Sequence, residues 1–517
     1  MPHLLGIDIG TSGTKTLVLG PDGKVAGTAT SEHTLSTPKP GWTEQDPLEW
    51  WSAVQKSIRG ALRDAKVSKD DITAIGLSGQ MHGGVFLDEK GRVLRPAILW
   101  NDQRTAKECD DILEKAGGPR KMLDLVGNLP LTGYTLPKIL WFKQNEAKRF
   151  ARLHKVVLPK DYVRMRMTGQ YVTDVGDASG MCLLDVRRRA WSDELIDLLK
   201  LDRAHLPDVV ESTAQTGELE TDAAHNLGLN PGTPVYAGSG DVMASAVGMG
   251  AVEAGLVAAS LGTSGVMAAH SDKVAVDTKS QNVGRIATMC HAVPDAYVNF
   301  GCMLSAAGSL QWYADEFGGD LGAKGKKAKD EGEVFKKLLA MADKVNPGSD
   351  GLFFLPFLTG ERCPYNDPDA RACWIGLTRR HTPGHMVRSL VEGVTYNMGR
   401  MLQIMRDEMS IPVKTVRTTG GGAKSPMWRQ LQADVYDAPV ATTNSEEGAA
   451  FGAALLAGVG RGDYKSVPAA CKQLIKAGDT VRPKKRQAEV YAKHAEVYAK
   501  MYARLAETFD DIAKLEE

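Results

Sequence analysis

Long apolar runs are missing from this sequence: nowhere do about 18 apolar residues follow one another, so no segment reads as a membrane-spanning helix. The start, MPHLLGIDIG, has neither a basic leading region nor an extended apolar stretch, so it does not read as a secretion signal. Net charge is missing too. The 63 basic and 63 acidic residues balance, which offers little to nucleic acid or an anionic membrane surface and points to a small-molecule partner. Cysteine is sparse, odd in number and scattered: Cys109, Cys182, Cys290, Cys302, Cys363, Cys373 and Cys471 contain no C-x-x-C pair. That excludes a disulfide framework and a structural zinc site, and a reducing, cytoplasmic setting is expected. No G-x-x-x-x-G-K-[ST] phosphate loop occurs, and Gly238-Ser239-Gly240 leads into Asp241 rather than a dinucleotide fingerprint.

What is present is a chain of 517 residues, longer than one hydrophobic core usually supports, with 43% hydrophobic and 24% charged residues. Short buried strands alternate with amphipathic helices, which predicts an α/β class. The opening predicts a hairpin: an apolar strand over residues 4–9, a glycine turn, and a second strand over 15–19 closed by Gly20-Pro21-Asp22-Gly23. Residues 47–62 carry apolar positions at helical spacing, and 72–77 read as a buried strand ending in SGQMHGG. The second half repeats this order, an internal duplication of architecture. The charged, glycine-punctuated stretch at 318–333 reads as a mobile surface excursion. AEVYAK occurs twice in the tail, seven residues apart; two heptads are too few for a coiled coil, so a terminal helix packed on its own domain is expected.

Four segments have the chemistry of a site. GTSG occurs as Gly10-Thr11-Ser12-Gly13 and again as Gly262-Thr263-Ser264-Gly265. Glycine-rich turns of this kind present successive N–H groups and hydroxyls to phosphate oxygens. Asp8, just before the first turn, is suited to hold Mg²⁺ through water, although a hairpin turn with a surface Asp accounts for this segment equally well. Asp241 follows an apolar strand and opens a small-residue helix. An aspartate there is either a general base toward a hydroxyl or, more commonly, a helix N-cap. His82, before Gly83 and Gly84, stands at a strand end where ligands approach α/β sheets. Gly420-Gly421-Gly422 leads into a helix and suits an adenosine or phosphate group lying against the backbone.

Together these segments resemble the FGGY carbohydrate kinases, and within them the xylulokinase subgroup. The similarity runs from GIDIGTSGTK to AAFGAALLAG. GYTLPKILWFKQN (133–145) and GLTRRHTPGHMVRSLVE (376–392) match the two family signatures, and LSGQMHG, RPAILWNDQRT, LPKDYVRMRMTG and FLPFLTGERCPYN match the subgroup. The resemblance implies two actin-like, ribonuclease-H-like domains flanking a catalytic cleft, at 1–253 and 254–480, with a helical tail at 481–517. It implies Asp241 as catalytic base and Asp8 near Mg²⁺. Gly10, Thr11, Ser12, Gly13, Lys15, Gly262 and Thr263 fall on the phosphate side, and Gly421, Gly422 and Ala423 on the adenosine side. Met81 and His82 match the ketose pocket, with Gln80, Trp100, Asn101 and Asp102 in it or directly behind it. The implied reaction is ATP-dependent phosphorylation of D-xylulose, with sugar and ATP as partners and a homodimer left open. Val242 departs from the pattern, which has Asn there. A valine forgoes a hydrogen bond, and a buried sugar hydroxyl left unpaired costs about 1–3 kcal/mol. A related ketopentose or pentitol is therefore the alternative substrate, and a non-catalytic actin-like nucleotide-binding protein the remote one.

Overall fold

The opening apolar run forms β1 (His3–Ile9), which turns back as β2 (Gly13–Leu19) and again as β3 (Val25–Glu32), all antiparallel. These come from a computed structural model that describes residues 2–279, 283–318, 331–444 and 447–515; the charged stretch at 318–333 lies largely outside them. Helix α1 (Pro47–Ala65) starts where Asp46 accepts from the Leu48 N–H at 2.9 Å and Pro47 presets the first turn. Its Trp50, Val54, Ile58 and Ala61 bury one face. Next, β4 (Ile72–Gly79) pairs in parallel with the free side of β1. Helices α2 (Thr135–Asn145), α3 (Pro159–Thr168) and α4 (Val175–Ser179) follow, then β5 (Gln215–Glu218), β6 (Pro234–Gly240) and α5 (Asp241–Gly248). The six-stranded sheet runs β5-β6-β4-β1-β2-β3.

The second half builds the same sheet. It contains β7 (Gly255–Leu261), β8 (Gly265–Ser271), β9 (Ala287–Cys290), β10 (Tyr297–Met303), α6 (Ala307–Phe317), α7 (Pro383–Gln403) and β11 (Val413–Thr419). The remainder is α8 (Pro426–Tyr436), β12 (Val440–Thr443), α9 (Gly448–Arg461), β13 (Ala477–Val481) and α10 (Lys485–Lys514). Its order is β9-β10-β8-β7-β11-β12-β13. Strand for strand, β3-β2-β1-β4-β6-β5 corresponds to β10-β8-β7-β11-β12-β13, with matching parallel and antiparallel pairings. The expected duplication is therefore one of strand order and pairing, although the edge strand β5 precedes β6 in the chain while β13 follows β12.

Helix α9 crosses this division. It lies between β12 and β13 of the second sheet in sequence, yet packs on β1, β4 and α5 of the first half. Glycines permit that approach: a Cβ on Gly6 would overlap the Ala450 carbonyl oxygen, and one on Gly452 the Ala244 carbonyl oxygen. The AEVYAK repeats lie in α10, whose Tyr491 and Tyr498 are buried beside Tyr396 of α7 at ring distances of 6.1 and 5.4 Å. That is docking on its own domain. Among the described residues, no helix is long and apolar enough to cross a membrane.

Candidate active site

Parallel strands that start together also end together. Ile9 pairs with Gly79 and Gly79 with Gly240, so the C-terminal ends of β1, β4 and β6 share one edge. That edge brings Asp8, the Gln80-Met81-His82 segment and Asp241 together from positions far apart in sequence. Asp241 is not an N-cap: Gly240 occupies that position, Asp241 is the first helical residue, and no side-chain capping bond forms at this end. Burial raises its carboxyl to about 7, helped by the negative charge of Asp8 and opposed by backbone N–H groups at Val242 and Asp241 itself. Asp8 is likewise no surface residue of a hairpin. Burial raises it to about 6 against the influence of Ser78 and Lys15, and its Oδ1 is buried without a hydrogen-bond partner.

Met81 packs against the end of β6, where a Cβ on Gly240 would lie 2.6 Å from its Cγ. His82 holds a left-handed backbone (φ 68°). Its carbonyl oxygen accepts from Lys138 Nζ at 2.8 Å and from the Thr135 hydroxyl at 3.1 Å, which fixes that conformation. The His82 Nδ1 lies 2.8 Å from the Gly180 carbonyl oxygen, an acceptor only, so Nδ1 carries the proton. Burial, followed by the charge of Arg362, pushes the imidazole well below its usual range; the ring is neutral and Nε2 is an acceptor. The Tyr134 ring covers it at 4.5 Å.

Gln80 and Trp100 both bond to the first turn. The Thr11 hydroxyl donates to Gln80 Oε1 at 3.1 Å and accepts from Trp100 Nε1 at 2.9 Å, while Gln45 Nε2 donates to the Thr11 carbonyl at 2.7 Å. Gln80 and Trp50 both donate to Gln45 Oε1, at 2.9 and 3.0 Å. The two predicted residues thus bond directly to Thr11 of the first turn, and Gln45, which the sequence reading missed, ties Gln80 and Trp50 to the same turn. Asp102 is fully buried; its carboxylate accepts from Arg104 Nε at 2.8 Å and Nη2 at 2.6 Å and from the Thr43 N–H at 2.7 Å. These bonds hold the loop that carries Trp100 and Asn101. Asn101 accepts from the Thr43 hydroxyl at 2.8 Å.

Both GTSG turns join antiparallel strands, β1 to β2 and β7 to β8, and both expose their middle residues, Ser12 and Thr263. In the first, the Gly10 N–H closes the turn onto the Gly13 carbonyl at 3.0 Å. In the second, Gly262 and Thr263 carbonyls accept from Ala307 and Ala306 at the start of α6, at 2.9 and 2.8 Å. Residues 420–422 lie against this turn: a Cβ on Gly420 would meet Gly262 N at 3.1 Å, and one on Gly422 would meet the Leu261 side chain at 3.0 Å. Gly421 has nothing within 4 Å of a built Cβ, and Gly262 only the Ser264 oxygen at 3.8 Å, so both face open space. Ala423 is buried behind them. Lys15 pairs with Glu447, just before α9, and so joins the first hairpin to the second half.

A magnesium ion fits Asp8. An orphaned carboxylate oxygen suits a hard cation that keeps several waters. Among the described residues no group of three or more His, Cys, Asp or Glu side chains offers a closed metal cage.

Comparison with known proteins identifies the family. Residues 3–248 match the N-terminal domain of the FGGY family of carbohydrate kinases and residues 257–461 its C-terminal domain. The chain is 38% identical over 502 residues to the xylulose kinase of Escherichia coli K12, covering 97% of this chain and 99% of that one. A crystal structure of a xylulose kinase from Brucella ovis superposes with a TM-score of 0.86 at 34% identity, covering 98% and 99% of the two chains. The ligand-bound xylulose kinase of Lactobacillus acidophilus gives 0.90 at 26% identity, covering 99% and 100%. With the actin-like fold of these kinases and both family domains in order, the chain belongs to the FGGY family of carbohydrate kinases, enzymes that transfer phosphate from ATP to a sugar hydroxyl.

Proposed function

We propose that this sugar kinase converts D-xylulose and ATP to D-xylulose 5-phosphate and ADP, with Asp241 as general base. The observation that carries this reading is the meeting, at one strand edge, of a carboxyl raised to about 7 with a neutral histidine and an apolar Met81 wall. A base acts best when its pKa lies near the working pH. Ionised Asp241 takes the proton of the terminal hydroxyl as that oxygen attacks the γ-phosphorus. His82 Nε2 accepts a hydrogen bond from a sugar hydroxyl and so orients the chain, while Met81 packs along its carbon face. N–H groups of the two turns, with the Ser12 and Thr263 hydroxyls, surround the phosphate oxygens. Little covalent work falls to the protein in phosphoryl transfer, so this positioning supplies most of the rate. Mg²⁺ held at Asp8 would draw charge from the phosphate oxygens. Glycines 262 and 421 leave room for the nucleotide backbone to lie close.

Val242, half-exposed beside Asp241, supports a second reading, a related ketopentose or pentitol. A coupled ADP-release assay over D-xylulose, L-xylulose, D-ribulose, L-ribulose, xylitol and glycerol separates the two. D-xylulose is expected to give the highest kcat/KM. Another pentulose or xylitol in first place selects the second reading, and activity on glycerol alone overturns both.

A further inference from the structure

The sugar-pocket histidine stands on a backbone that has to be held. His82 is left-handed at φ 68°, a conformation that non-glycine residues rarely keep unless their surroundings impose it. Lys138, in the first turn of α2, imposes it. It is wholly buried, and its Nζ donates to the His82 carbonyl oxygen at 2.8 Å and to the Gly133 carbonyl oxygen at 2.6 Å. The Thr135 hydroxyl, three residues earlier in the helix, donates to the same His82 oxygen at 3.1 Å. Gly133 in turn packs on the Trp100 loop: a Cβ there would overlap the Trp100 carbonyl oxygen. Tyr134 follows, and its ring covers the His82 ring at 4.5 Å. One amine thus ties the backbone under the histidine to the backbone that carries its cover.

Packing does not require a lysine here. Leu136, Ile139, Leu140 and Phe142 already bury the apolar surface of α2, and a buried amine costs more than an apolar residue in its place. Its two bonds go to carbonyl oxygens rather than to a carboxylate. Burial pushes the amine well below its usual range; Asp102 opposes the shift, while Arg362 and Arg104 add to it. A neutral amine has two N–H bonds, and the two carbonyl oxygens take both. The group is a clamp, not a charge. We propose that Lys138 is a positioning residue for sugar binding, which holds the His82 and Gly133 carbonyl oxygens together and so aims the His82 imidazole into the pocket. With the main chain held by Lys138, and Nδ1 held on the Gly180 carbonyl oxygen at 2.8 Å, the direction of Nε2 is set. This rests on the ketose reading above, in which Nε2 accepts from a sugar hydroxyl.

The test is steady-state kinetics of the wild type, Lys138→Met, Thr135→Val and His82→Ala on the pentulose that the wild type uses best, with ATP varied in parallel. Methionine keeps the length of the side chain and removes the donor. A displaced Nε2 predicts a sugar KM raised at least about tenfold in Lys138→Met, with the ATP KM within about twofold of the wild type. Thr135→Val removes the second donor to the same oxygen and is expected to raise the sugar KM about threefold. A residue that only supported the fold would lower the active fraction, and with it kcat, and leave both KM values alone. A wild type inactive on every pentulose, or a His82→Ala variant with the wild-type sugar KM, overturns the reading above and this proposal with it. A raised sugar KM in His82→Ala beside an unmoved one in Lys138→Met, or an ATP KM that rises equally, overturns this proposal alone. Should Lys138→Met fail to fold, an unmoved sugar KM in Thr135→Val does the same.

Discussion

Asp241 owes its chemistry to the place where its strand stops. Burial raises the carboxyl to about 7, and the Asp8 charge adds to the effect. A base must be ionised to work, so a raised pKa means that activity is present above it and lost as pH falls through it. We therefore expect kcat/KM to fall about tenfold per pH unit below an apparent pKa near 7, titrated with Asp8 as an interacting pair. Asp241→Asn is expected to lose about 10²–10⁴ in kcat, while the ATP dissociation constant measured by calorimetry stays unchanged. A variant that still phosphorylates sugar near the wild-type rate would remove Asp241 from the mechanism. Asp241 and Asp8 are legible in the sequence because each directly borders a glycine-marked strand end. The orientation of Gln80 and Trp100 is not. Their partner Thr11 lies 69 and 89 residues away, and no local pattern says that these side chains bond to the first turn.

Elements are legible where their periodicity is their own. The hairpins, α1 and the run into β4 follow from alternation, caps and glycine turns. For α10 the heptad spacing of Tyr491 and Tyr498 marks a buried stripe, but only the structure identifies what covers it. The Tyr491 hydroxyl accepts from Arg388 and donates to Glu392 Oε1 at 3.0 Å; Glu392 also accepts from Arg388 Nε at 2.8 Å, the Ser349 hydroxyl at 2.8 Å and the Gly348 N–H at 2.9 Å. This network joins α10 to α7 through buried charges, where an unpaired donor is costly. Tyr491→Phe keeps the ring and removes the hydroxyl. It is expected to destabilise the protein by about 1–3 kcal/mol, read as a fall in the thermal midpoint. An unchanged midpoint would mean that ring burial alone docks the tail.

At the scale of the molecule, two copies of one sheet topology are joined through α5 and α9. That joint was not legible, because α9 belongs by sequence to one half and by packing to the other. It is also where the active site meets the fold, since α5 begins at Asp241. Its tightness predicts the sign of a substitution that local propensity gets wrong. Gly452 lies inside α9, and replacing a helical glycine by alanine ordinarily stabilises by about 1 kcal/mol. Here the added methyl would overlap the Ala244 carbonyl oxygen and lie 3.1 Å from Gly248 N, both backbone atoms of α5 with no side chain free to yield. Overpacking of this kind costs about 1–3 kcal/mol and is relieved only by moving one helix off the other. Gly452→Ala is therefore expected to lower both the thermal midpoint and kcat, because the displaced helix carries the proposed base. A Gly452→Ala protein that melts higher and keeps full kcat would show that α5 and α9 separate freely, and that the halves are not joined through this contact.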